Sequence, residues 1–189
     1  MTRWIKGDLI GKGTYGKVRA NVGAHRLRAE LFTLSQVFLA LNGNTGEMIA
    51  VKQVELPKTG SDQQDHRQRI VVDAIKSEST TLRDLEHPNV VQYLGFEETS
   101  DHFNLFLEYV PGGSIAGVLR KLGKFDENVT KSFTEQILSG LNYLHSRGVW
   151  HRDLRGDNIL VDAQGVCKIS DFGISKRNGT HVHQLFGLC

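Results

Sequence analysis

The stretch His151-Arg152-Asp153-Leu154-Arg155-Gly156-Asp157-Asn158, followed thirteen residues after its last member by Asp171-Phe172-Gly173, decides how this chain is read. It gathers two carboxylates and an amide, Asp153, Asp171 and Asn158, within nineteen residues. Asp153 suits the acceptance of a proton from a hydroxyl, and Asn158 and Asp171 offer the hard oxygen ligands that Mg2+ prefers. Taken alone, the same three residues could equally be loop-capping Asp and Asn.

Working outward, order lifts the first reading over the second. Gly11-Lys-Gly13-Thr-Tyr-Gly16-Lys-Val18 is a glycine-rich loop in which missing side chains let backbone amides approach phosphates closely. A dinucleotide-binding turn would need a helix directly after its third glycine, whereas Lys17-Val18-Arg19 reads as extended. Lys52, in Ile49-Ala-Val-Lys52, is a lone cation on an apolar strand and is costly to bury without an anion, which phosphate oxygens would supply. Glu78 lies on a helix face that can look toward that strand and would orient Lys52 through an ion pair, although either residue taken singly also reads as a solvated surface charge.

Glycine loop, Ala-Val-Lys, His-Arg-Asp with Asn five residues after the Asp, then Asp-Phe-Gly: in that order the chain resembles the eukaryotic protein kinase family from about Trp4 to Lys176. The resemblance implies that Ile10, Gly11, Gly13, Gly16, Val18 and Ala50 cover ATP. It implies that Lys52 holds the α- and β-phosphates with Glu78 as its partner, and that Leu107 guards the back pocket. The backbone of Glu108 and Val110 would bond adenine. Asp153 would be the catalytic base, Arg155 a cation beside it, and Asn158 and Asp171 the Mg2+ ligands. Phe106-Leu-Glu-Tyr-Val-Pro-Gly-Gly-Ser-Ile115, Gln136-Ile-Leu-Ser-Gly-Leu-Asn-Tyr-Leu-His145 and Lys168-Ile-Ser-Asp-Phe-Gly-Ile-Ser-Lys176 narrow the resemblance to the MAP kinase kinase kinases of the fungal cell-wall integrity type. The implied activity is phosphorylation of serine or threonine on a MAP kinase kinase.

The pattern predicts an α+β, protein-kinase-like fold. Strands are expected over Trp4 to Val18, Glu47 to Glu55, Val90 to Leu94 and Phe103 to Val110, with a helix from Arg69 to Leu85 whose apolar residues recur at helical spacing. After Pro111-Gly-Gly113 the pattern turns helical, over Ser114 to Leu122 and Glu127 to His145. Residues 1–110 are therefore read as an N-terminal sheet lobe, 111–177 as the start of a helical lobe, and 178–189 as an unrelated tail.

Thirty-nine positions separate Gly13 from Lys52, about twice what a glycine loop and adjacent strand need. An insertion is expected at residues 21–40, whose removal joins Ala20 to Leu41. Within it Ala24, Leu27, Leu31, Leu34 and Phe38 are spaced for an amphipathic helix. Uninterrupted pattern on either side favours translated intron as its origin. Sixteen residues follow Gly173, so the chain is expected to be truncated, leaving Phe133, Ile137 and Leu141 partly uncovered. His181, His183 and Cys189 in the tail lack the frame of a metal site.

Three further residues carry expectations. Arg155 stands where such kinases usually have Lys, which predicts slower transfer by the same reaction. Trp150 is expected to strain its surroundings by about 1 to 3 kcal/mol of overpacking. Arg152 is expected to need an anion, such as a phosphate on the parent enzyme.

With 39% hydrophobic and 23% charged residues and a net charge of +2 without a basic block, the chain is ordinary globular material and neither a nucleic-acid nor a lipid partner is expected. Cys167 and Cys189, without metal spacing, and an N-terminus without an apolar run suggest a cytoplasmic protein; no stretch is apolar enough to span a membrane, and oligomeric state is open. Two other readings stay open: a catalytically inactive truncated kinase fragment, and a pseudokinase-like module that binds nucleotide or partners.

Overall fold

A computed structural model describes residues 3–13, 35–57 and 63–177. The chain divides into two compact units, residues 1–79 with 93–109, and residues 80–92 with 110–189.

The first unit is a five-stranded antiparallel sheet, β1 (Trp4–Gly13), β2 (Ser35–Asn42), β3 (Met48–Glu55), β4 (Tyr93–Glu98) and β5 (His102–Glu108), in the order β1-β2-β3-β5-β4. Side chains alternate across it, as the strand period demands. Ala40, Ile49, Val51 and Phe106 are buried together on one face with Trp4 packed against them. The Trp4 ring meets Phe106 edge-on at 5.9 Å, and its Nε1 donates to Glu97 Oε2 at 3.1 Å. The β2 to β3 turn is closed by the Asn42 amide N–H on the Glu47 carbonyl, with Gly46 at φ 73°, a conformation glycine adopts without cost. Helix α1 (Gln63–Leu82) places Val71, Ile75, Glu78 and Leu82 on one buried stripe.

Four expectations need correction here. Residues 35–40 of the expected insertion lie in strand β2, where Phe38 is buried opposite Val51, so the helix expected to reach Phe38 is ruled out there. A period of two, not 3.6, governs that segment because its neighbours are β1 and β3. The strand expected at Val90 to Leu94 begins only at Tyr93: Val90 and Val91 are buried, and the Val91 amide instead bonds the Ile169 carbonyl at 2.9 Å. For the same reason residues 80–92, read as part of the first lobe, stand with the second unit. Helix α1 begins six residues before Arg69, because polar residues there carry no apolar signal.

The second unit holds α2 (Ile115–Leu122), α3 (Glu127–Ser146), a two-stranded antiparallel sheet of β6 (Val149–Trp150) with β9 (Lys176–Arg177), and a hairpin of β7 (Ile159–Val161) with β8 (Cys167–Ile169). Both helices start where a side chain satisfies an otherwise orphan amide: Ser114 Oγ accepts from Gly117 and Asp126 Oδ1 from Val129. Ile159, Val161 and Cys167 form a buried cluster against Ile115, Phe133 and Ile137, while Leu144 of α3 is wholly buried. Phe133, Ile137 and Leu141 are half-buried. At Gly140 a Cβ would lie 2.8 Å from the Asn89 carbonyl oxygen, so α3 approaches this backbone only because that residue has no side chain. Burial pushes the Cys167 thiol up to about 11, with Asp162 adding to the effect, which fits an inert core thiol. Trp150 is 47% exposed and lies against His145 at 4.5 Å, so the overpacking expected of it does not arise: the ring turns outward.

Candidate active site

Lys52 is carried by β3, paired across the ladder with Val37 on one side and Leu105 on the other. Ala50 is likewise flanked by Leu39 and Leu107. Directly opposed residues in antiparallel strands project to the same face, so Val37, Leu39, Ala50, Lys52, Leu105 and Leu107 share one surface of the sheet. Lys52 Nζ lies 2.7 Å from Glu78 Oε2, with side-chain exposures of 7% and 0%. Two charges so fully removed from water are tolerated only as a close, hydrogen-bonded pair. The sheet dictates where Lys52 stands, and the stripe of α1 that buries Ile75 and Leu82 brings Glu78 to it.

Gly11 is opposite Val37 at the end of the sheet, and Ile10 is 46% exposed beside an irregularity in the β1 register. Leu107 is buried; Glu108 closes β5 opposite Ile49, and Val110 opens the second unit as a buried residue. Gly13 pairs with Ser35, while Gly16 and Val18 lie outside the described residues, as do residues 21–34 of the expected insertion and the tail 178–189.

In the second unit Asp153 and Asn158 form one constellation. Asn158 Nδ2 donates to the Asp153 carbonyl at 2.8 Å and to Asp153 Oδ2 at 3.0 Å. Both partners are acceptors only, so the amide nitrogen must face Asp153 and its Oδ1 points away from it, free to act as an oxygen ligand. Asn158 is fixed by a single 3-10 turn, Gly156–Asn158, and is 5% exposed. Its carbonyl accepts from both the amide and the hydroxyl of Ser170, at 2.8 and 3.0 Å, which ties it to the residue preceding Asp171. His151 completes the brace: Nδ1 accepts from the Asp153 amide at 3.3 Å, which leaves Nε2 as the donor to the Ser170 carbonyl at 2.9 Å. Phe172 is buried and meets His151 edge-on at 4.9 Å.

Two non-glycine residues adopt left-handed backbone here, Arg152 and Asp171, both at φ 65°. Asp tolerates that region, whereas for Arg it is strained, and such strain gathers at sites whose surroundings over-determine it. The Arg152 guanidinium bonds the carbonyls of Ile174 and Ser175. The anion expected for it is thus represented here by two backbone oxygens of the segment after Asp-Phe-Gly. Arg155 Nε is 3.6 Å from Asp153 Oδ2 with the guanidinium 59% exposed, a solvated neighbour of Asp153.

Three residues that brace the expected site residues carry no role in the sequence reading. His151 was quoted without a role, and Ser170 and Val37 were not singled out. The Ser before Asp171 carried a weak signal as a short donor in an apolar run; Val37 carried none, because its strand had been read as insertion.

A protein kinase domain model matches residues 33–186. The chain is 51% identical over 176 residues to the MAP kinase kinase kinase mkh1 of Schizosaccharomyces pombe, covering 93% of this chain and 14% of that protein. It is 49% identical over 175 residues to the serine/threonine-protein kinase BCK1/SLK1/SSP31 of Saccharomyces cerevisiae, covering 93% and 10%. With MST11 of Pyricularia oryzae it shares 48% identity over 177 residues, covering 93% and 17%. The chain therefore spans between 10% and 17% of the length of these relatives.

Proposed function

The chain belongs to the protein kinase domain family, and we propose that it is the catalytic portion of an ATP-dependent serine/threonine kinase of the MAP kinase kinase kinase type, acting on a MAP kinase kinase in the cytoplasm. The observation that carries this is the buried Lys52–Glu78 pair at 2.7 Å, which holds a desolvated ammonium on the sheet face where a phosphate would meet it. A structural ion pair alone would not account for Asp153, Asn158 and Asp171, whose oxygens form a second set in the other unit.

The residues fit the ligands asked of them. Mg2+ is generally held by one or two protein oxygens and by phosphates, and Asn158 Oδ1 and Asp171 are donors of that type. Bound Mg2+ would neutralise developing charge on phosphate oxygens. Lys52 would hold the α- and β-phosphates, its orientation set by Glu78. Ala50 and Leu107 would pack on adenine, and Glu108 and Val110 would bond it through their backbone. Asp153 would orient the attacking hydroxyl and accept its proton, with Asn158 Nδ2 keeping its carboxylate in place.

The test is Mg2+-dependent phosphate transfer from ATP to a purified, kinase-dead MAP kinase kinase. Transfer that falls at least about a hundredfold in Asp153→Asn, the size usual for losing a general base, supports the reading. Transfer unchanged in that variant overturns it.

A further inference from the structure

Gly13 pairs with Ser35, Lys12 with Gln36 and Gly11 with Val37, so β2 meets β1 directly across a connection of twenty-one residues, 14–34. Antiparallel neighbours ordinarily need a connection of two to five residues. Something in this chain is therefore additional, and the ladder shows which residues are not: Phe38 is buried opposite Val51, Ala40 is buried opposite Ile49, and Leu39 faces Ala50. These three are part of the sheet.

We propose that the insertion is residues 19–37, and that Val37 occupies the nucleotide-facing position which Val18 takes when those residues are absent. The inference rests on the kinase reading for its ligand and on strand register for its boundaries. Removing the nineteen residues Arg19 to Val37 joins Val18 to Phe38. Val18 then stands where Val37 stands, opposite Gly11 and Lys52; Lys17 replaces Gln36, and Gly16 replaces Ser35 opposite Gly13. Only Thr14 and Tyr15 remain between the paired glycines, a two-residue loop of the commonest hairpin length. Every residue from Phe38 onward keeps its partner.

Removing 21–40 instead shifts the register by one residue, which sends each side chain to the opposite face. Val18 would then replace Phe38, and Lys17 and Arg19 would replace Val37 and Leu39, placing two cations on the face of Lys52 and Ala50. A single residue, Thr14, would be left to turn the chain between Gly13 and Tyr15. Hairpin connections are ordinarily two residues or longer.

A second observation favours the same boundary. Ser35 is 1% exposed and its Oγ has no hydrogen-bond partner among the described residues. Buried hydroxyls are ordinarily paired, and an unpaired one is a cost. Glycine at that place, supplied by Gly16 after removal of 19–37, carries no hydroxyl to satisfy. The face that results, Gly11, Val, Leu39, Ala50 and Lys52, is apolar around one cation, the character expected of a surface for a purine nucleotide and its phosphates.

Two deletion variants of the full chain, lacking 19–37 or 21–40, test this by thermal melting and by binding of a fluorescent ATP analogue with Mg2+. The 19–37 deletion should melt at least about 2–4 °C above the intact chain, the shift that about 1 kcal/mol produces in a domain of this size. The 21–40 deletion should melt below it. Equal melting of the two deletions, or the reverse order, overturns the assigned boundary whatever nucleotide does. On the ligand side, the 19–37 deletion should bind the analogue at least tenfold more tightly than the 21–40 deletion. If the melting order holds and neither binds, the boundary stands and the nucleotide role of this face falls.

Discussion

Replacing Glu78 by glutamine would leave the Lys52 ammonium facing a neutral amide inside a site from which water is almost excluded. The two side chains are 0% and 7% exposed and their atoms meet at 2.7 Å, so the pair is buried in the full sense. Breaking such a pair from one side typically costs about 3–5 kcal/mol, because a charge held out of water loses its counter-charge at 2.7 Å. Replacing both partners by apolar residues of similar volume, Lys52→Met with Glu78→Leu, removes both charges and should return stability to within about 1–2 kcal/mol of the parent. Against a domain stability of about 5–15 kcal/mol, each single change is severe and the double change is mild. Urea denaturation of the parent, Lys52→Met, Glu78→Leu and the double variant closes a double-mutant cycle that measures the coupling. Single-variant losses below about 1 kcal/mol, the range of exposed ion pairs, or a double variant that loses the sum of the singles, would refute the reasoning.

Three further outcomes are expected. Gly140→Ala should destabilise the second unit by about 1–3 kcal/mol, read by urea denaturation, since its Cβ would lie 2.8 Å from the Asn89 carbonyl and 3.0 Å from Ile169 Cδ1. Asn158→Asp should lower the rate of phosphate transfer and weaken the site, because it replaces the donor to Asp153 Oδ2 at 3.0 Å with a second carboxylate; measured kcat equal to the parent would contradict this. His87, held below its ordinary 6.5 by burial and then by Lys168, binds its proton more readily unfolded than folded. Stability should thus rise with pH through that region and fall on acidification below about 6.5, and His87→Asn should flatten the dependence of melting temperature on pH.

The family of this chain was legible because its motifs are recognised by residue type and order. Lys52 meets Glu78 as the ion pair expected of them, whereas the bond from Asn158 to Asp153 was not expected from the sequence. Helices α2 and α3 were legible to within a residue, as Ser114 and Asp126 are cap residues with a mechanism. What escaped was whatever depends on partners distant in sequence. β6 and β9 are two residues each, too short for any period, and exist because Val149 and Trp150 meet Arg177 and Lys176. Val90 and Val91 read as a strand by composition but are drawn to Ile169. β2 was obscured because Phe38 continues a spacing of three and four from the apolar residues before it, and only the pairing of 35–42 with β1 and β3 reveals a period of two there.

The proposal most directly open to test is Mg2+-dependent binding of ATP, with Lys52 proposed as a phosphate partner and Asp171 as a metal ligand. Calorimetric titration of the chain with ATP, with and without Mg2+, tests it directly, alongside Lys52→Met and Asp171→Asn. The expected result is binding that tightens at least tenfold with Mg2+, a gain abolished by Asp171→Asn, with overall affinity lowered by Lys52→Met. Binding indifferent to Mg2+ and to both substitutions would contradict the account.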